Sequence, residues 1–233
     1  MSGSDTKVVL VHGAWADGSS WSKVITGIRS NGIEAVTSPI PLTTLADDVA
    51  AVDRTLERVD GPVVLVGHAY AGAVIGSTRD AKVKALVYVA ALAPAEGETV
   101  ADVFYRDEPH PAAPKLAPDN HGLIWLPQDA FAAAFAQNAS PEEQSVLAAV
   151  QRPISPACIS VPVGRPLWKD VPSWYLLAGQ DHMIVAETQR FMAERMKATV
   201  SAHAVDHTPS VSAPEHVVDL IMHAVRAVRG VRA

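Results

Sequence analysis

Four short stretches of the chain carry residue types suited to acyl transfer. At 66–72 the sequence reads VGHAYAG, at 12–15 HGAW, at 179–181 GQD and at 206–209 DHTP. Acyl transfer needs a nucleophile, a base to take its proton, an acid to orient the base, and fixed donors for the oxyanion. His207 is the candidate base and Asp181 the candidate orienting acid. The backbone N–H groups of Ala14 and Tyr70 are the candidate oxyanion donors. The nucleophile belongs at the centre of a G-x-S-x-G turn, and there the chain has Ala69, with His68 before it as a support for the turn.

These residues need elements to position them, and an alternating pattern supplies candidates. Lys7 to Val11 (KVVLV), Ile33 to Thr37, Pro62 to Val66, Lys84 to Ala91, Ser173 to Ala178 and Thr199 to Ala204 read as strands. Continuous apolar runs of this kind suit strands buried on both faces of a parallel sheet. Helical spacing falls between them, over Ser19 to Ser30, Leu45 to Val59, Tyr70 to Arg79 and Val185 to Met196. A last helix runs from Pro214 to about Val228. The pattern predicts an α/β fold of about six mostly parallel strands with helices on both faces. In such a sheet the chemistry belongs at the carboxyl ends of the strands, where HGAW, GQD and DHTP all fall. Gly67, Ala71 and Gly72 keep the turn at Ala69 small enough for a helix to pack on its strand.

The alternation breaks between Pro94 and Pro166, a stretch with eleven of the seventeen prolines. It shows no clear strand. One helical patch covers Pro127 to Ala139, and a second covers Pro141 to Val150. A loop-rich insertion of this length reads as a lid, so the expected organisation is a core of residues 1–93 and 167–233 with a lid at 94–166.

VLVHGAW, VGHAYAG, LLAGQDHMI and DHTPS occur in one order along nearly the whole chain. In these motifs the sequence resembles the α/β-hydrolase superfamily, in particular its small bacterial hydrolases and plant methylesterase-like members. The resemblance implies a triad of position 69, Asp181 and His207, with an oxyanion hole at Ala14 and Tyr70. It also implies an acyl hydrolase of an ester or lactone, with no cofactor and no metal.

The departure is Ala69, which has no nucleophilic atom. Two readings stay open. One is a serine hydrolase whose serine has been replaced, leaving a site that binds but does not turn over its substrate; the intact motifs around it favour this. The other is a natural non-catalytic ligand-binding chain. A lyase or cofactor-free oxygenase on the same scaffold is a third, weakened for the lyase by Thr208, where cyanohydrin lyases have lysine. Glu96 and Asp102 are alternative positions for the acid.

Trp15, Trp125, Phe104 and Phe131 are the candidate walls of an apolar substrate pocket. The expected ligand is a small apolar ester or lactone. A net charge of −6 with scattered basic residues argues against nucleic acid. The single cysteine, Cys158, permits no intrachain disulfide, and no Cys/His cluster has zinc spacing. The polar N-terminal stretch and the lack of a long apolar run predict a cytoplasmic chain with no membrane partner, as a monomer or homodimer.

Overall fold

A computed structural model describes residues 5–230. Six strands form one parallel sheet: β1 (Lys7–Val11), β2 (Ala35–Ser38), β3 (Val63–His68), β4 (Val83–Val89), β5 (Ser173–Ala178) and β6 (Thr199–His203), in the order β2-β1-β3-β4-β5-β6. β3 and β4 run side by side at the centre, paired through Gly67 with Tyr88 and His68 with Val89.

Successive side chains leave the sheet on opposite faces, so the inner strands feed two cores, while the edge strand β6 is exposed or half-buried along its length. Val8, Leu10, Val64, Val66, Val87 and Leu176 pack under helices α1 (Ser22–Ser30) and α8 (Pro214–Val228). Val9, Val11, Leu65, Leu86 and Tyr175 pack against α2 (Leu45–Glu57), α3 (Ala71–Ser77) and α6 (Ala186–Arg195). This double burial explains why β1, β3 and most of β4 and β5 read as apolar runs.

β2 starts two residues later than its sequence pattern implies. Gly32 takes a left-handed φ of 73° to close α1, and Ile33 turns back to donate its N–H to the Ile28 carbonyl. The apolar Ile33 therefore belongs to the helix stop. The patch over Pro127 to Ala139 is not a full helix either. Only Phe131–Phe135 coils, as one wide π-helical turn closed by Ala136 N–H to the Phe131 carbonyl. That turn brings the rings of Phe131 and Phe135 to 5.3 Å, both buried.

Between β4 and β5 the chain also forms α4 (Val100–Phe104) and α5 (Pro141–Val150). Both start on reciprocal capping boxes, Thr99 with Asp102 and Ser140 with Glu143. The remaining helix, α7 (Pro209–Ser212), is a single turn after DHTP. Among the described residues, no helix is long and apolar enough to cross a membrane.

Candidate active site

Ala69 sits between β3 and α3 with φ 49°, a left-handed conformation that strains a residue with a Cβ. Its neighbours hold it there. Its N–H donates to the Val89 carbonyl, and its own carbonyl accepts from the N–H groups of Gly72 and Leu92. The surrounding chain leaves no room for side chains. A Cβ on Gly13 would lie 2.9 Å from the His68 carbonyl oxygen, one on Gly67 2.8 Å from that of Ala71, and one on Gly72 2.3 Å from that of Leu92.

The HGAW turn faces the elbow. Trp15 is also left-handed, at φ 57°. Its N–H donates to the Arg152 carbonyl and its indole N–H to the Ile124 carbonyl. The N–H groups of Ala14 and Tyr70 differ, because neither has a hydrogen-bond partner among the described residues. Both residues line the same cavity as Ala69 and His207. His12 steadies the turn by donating Nδ1–H to the Gly13 carbonyl, and burial lowers its pKa.

His207 and Asp181 are 2 % and 3 % exposed, and Nδ1 of the histidine lies 2.8 Å from Oδ2 of the carboxylate. Asp181 accepts three further bonds. The backbone N–H groups of Met183 and Ile184 reach Oδ1 at 2.7 and 2.9 Å, and the Gln189 amide reaches Oδ2 at 2.9 Å. With a carboxylate opposite, Nδ1 carries the proton and Nε2 presents its lone pair. The arrangement can accept a proton at Nε2 while Asp181 stabilises the resulting imidazolium.

The loop of His207 is pinned on several sides. His68 Nε2–H donates to the His207 carbonyl at 2.7 Å, and Gln180 N–H donates to that of Val205. The Asp206 carboxylate accepts from the N–H groups of Thr208 and Asn138 and from the Ser212 hydroxyl. The Thr208 hydroxyl donates to the Phe135 carbonyl at 2.6 Å. His68 is fully enclosed; burial, reinforced by His207, takes its pKa down to about 3 and keeps it neutral.

A small, partly open cavity lies over these groups. Leu92, Val100, Ile154, Ile159 and Ile184 are among the aliphatic residues of its wall, which has no acidic or basic side chain except His207. Trp15 and Phe104 line it. Trp125 and Phe131 do not. Trp125 is 45 % exposed and its indole N–H donates to the Asp119 carboxylate. Phe131 is buried behind the cavity against Phe135.

Glu96 pairs with Lys169, and Asp102 caps α4, so neither competes with Asp181 for His207. Other hydroxyls do not replace the missing nucleophile: Ser77 donates to the Ala73 carbonyl, Ser19 and Ser20 bond to Asp17, and the Ser210 hydroxyl, buried and without a hydrogen-bond partner among the described residues, does not line the cavity. Phe135, one of the aromatics of the 94–166 segment, has its ring 5.3 Å from that of His207. Sequence reasoning gave no role to Gln189 and Asp206, because they hold the dyad from an adjacent helix and from the histidine's own loop. Among the described residues, no group of three or more His, Cys, Asp or Glu side chains is placed to hold a metal ion.

Known proteins match this chain along most of its length. A family model described as the alpha/beta hydrolase family matches residues 8–220. A protein described as a probable hydrolase, R7, from Phoma sp. is 25% identical, over 92% of this chain and 96% of its own. A pyrethroid hydrolase solved as a serine-to-alanine variant superposes with a TM-score of 0.83 at 20% identity, covering 97% of this chain and 100% of its own. A polyneuridine aldehyde esterase variant gives a TM-score of 0.81 at 18% identity, covering 94% and 99%.

Proposed function

The chain belongs to the alpha/beta hydrolase family, and from that premise we propose that it is an acyl hydrolase for apolar esters or lactones whose nucleophile position holds alanine. One observation carries the reading: His207, paired with the buried Asp181, shares an apolar cavity with two unpartnered N–H donors and the Ala69 methyl. With a serine at 69, His207 Nε2 takes the hydroxyl proton as the oxygen attacks the acyl carbon. The oxyanion is held by Ala14 and Tyr70 N–H, and His207 returns the proton to the leaving alcohol. Without that oxygen no acyl-enzyme forms, and the site retains binding and oxyanion stabilisation.

The wall favours a neutral, apolar ligand, because a buried charge there would find no partner. A second chamber adjoins the first and shares Phe104, Tyr105, Leu116 and Met183 with it. This supports a substrate with an apolar part beside His207 and a longer part reaching outward. Residues 94–166 act in this reading as the lid. The named activities of the structural neighbours, pyrethroid hydrolase and aldehyde esterase, point in the same direction.

Ala69→Ser tests the proposal. With short p-nitrophenyl esters the variant should show a burst and a kcat at least roughly 10³-fold above the Ala69 chain. No burst and no turnover across an ester and lactone panel would sink the hydrolase reading. Serine at codon 69 of the parent gene would mark Ala69 as a replacement.

A further inference from the structure

Beneath the elbow lies a carboxylate that the proposed chemistry does not use. Asp48, in the first turn of α2, is completely buried. Its Oδ1 accepts the N–H of Leu42 at 2.7 Å, and its Oδ2 accepts the Tyr70 hydroxyl at 2.7 Å and the Cys158 thiol at 3.6 Å. These partners come from three separate parts of the chain. Leu42 lies before α2 in a left-handed conformation, φ 61°. Tyr70 follows the nucleophile position. Cys158 ends a short 3₁₀ turn, Pro156–Cys158, before β5. The same turn region is tied a second time, since Ser155 N–H donates to the Leu42 carbonyl at 3.0 Å.

A buried carboxylate is expensive to hold, and well-packed apolar residues often serve stability as well or better. What it supplies here is geometry. Tyr70 is 3 % exposed and lines the cavity, yet its hydroxyl points away to Asp48. The ring therefore presents an apolar wall to a ligand, and the residue is anchored at its far end. Its backbone N–H is one of the two unpartnered donors, so the anchor sets the direction of that donor. Burial raises the pKa of the Tyr70 phenol and takes the Cys158 thiol up to about 12, so both remain protonated donors. Burial also raises the pKa of Asp48, opposed by the bonds it accepts from Tyr70, Leu42 and Cys158.

We infer that Asp48 is a positioning residue, which holds Tyr70 at the elbow and joins it to Leu42 and the Ser155–Cys158 turn as one unit. Its bearing on catalysis rests on the reading of the Tyr70 N–H as an oxyanion donor.

Amide hydrogen exchange on the chain as it stands tests the tether without needing turnover. In Asp48→Ala, the amides of Gly72, Leu92 and Ser155 should exchange at least roughly ten-fold faster, while those of Leu10 and Leu65 keep their rates. Asp48→Asn, which keeps an accepting oxygen but brings an NH₂ against donors, should restore much of the protection. Uniform acceleration of all these amides, or none at Gly72 and Leu92, overturns the inference.

Kinetics in the Ala69→Ser background give the second readout. Asp48→Ala should lower kcat by about 10²-fold, the scale of a lost oxyanion donor, with KM within about threefold. Adding Tyr70→Phe should cost little more, because both changes cut one link. A change confined to KM, or fully additive losses, would overturn the catalytic part. Ala69→Ser that fails to turn over while the exchange pattern holds sinks the hydrolase reading and leaves the tether standing.

Discussion

The elbow around Ala69 and the segment between β4 and β5 meet at one cavity but are built on opposite plans. At the elbow, backbone approaches backbone so closely that Gly67 and Gly72 have no space for a Cβ, and a strained Ala69 is fixed by bonds to Val89, Gly72 and Leu92. In the segment, order comes from two short helices, one π-helical turn, 3₁₀ turns at Pro156–Cys158 and Leu167–Lys169, and isolated bridges of Ile124 to Pro118 and Ile154. Its Gly97 and Gly122 take positive φ with nothing within 4 Å of an added Cβ. Tyr105, Trp125, Val146 and Val161 stand partly in water. Under the proposed function, reacting groups must be held to fractions of an ångström, which packing between sheet and helix provides. A wall that selects a substrate by shape tolerates looser construction.

The largest way to break this contrast is Gly72→Ala. In an ordinary helix that change is favourable by up to about 1 kcal/mol. Here the new carbon would meet the Leu92 carbonyl at 2.3 Å and the Ala91 Cβ at 2.9 Å. The overpacking should destabilise the fold by about 2–3 kcal/mol, read as a lower midpoint in urea. A neutral or stabilising result would show that the elbow yields and the contrast fails.

Acid should find the packed region next. Burial lowers the pKa of His12, His68 and His203, that of His68 down to about 3. An unfolded histidine titrates near 6.5, so below that pH the unfolded state binds protons that the folded state refuses. Stability is therefore full above about pH 6.5 and falls as pH drops toward the folded pKa values. His68 alone should contribute a slope of about 1 kcal/mol per pH unit between pH 6 and 4. Urea midpoints across that range check it, and His68→Gln should flatten the slope. An equal slope in the variant would assign the acid sensitivity to other groups.

Gly122→Ala sharpens the contrast from the looser side. Its φ of 78° strains any Cβ, but no neighbour is struck, so the cost should be about 1 kcal/mol. A loss as large as that of Gly72→Ala would mean that the segment is packed as rigidly as the elbow.

The sequence by itself determined the parallel sheet, because its inner strands are buried on both faces and so must be apolar nearly throughout, with helical segments between them. It also determined where the four candidate motifs fall, because HGAW, GQD and DHTP follow strands and VGHAYAG runs off the end of one, and a parallel sheet delivers all such ends to one edge. Only the tertiary structure decided which residues surround them. Phe131 and Trp125 have the composition of a pocket wall, but a π-helical turn and an Asp119 bond turn them elsewhere. Asp48 falls on a helix stripe otherwise read through its apolar members, and nothing local says that its carboxylate reaches Tyr70 from 22 residues away. Periodicity reports that a face is buried. What a buried polar atom meets there depends on long-range contacts, which local sequence does not encode.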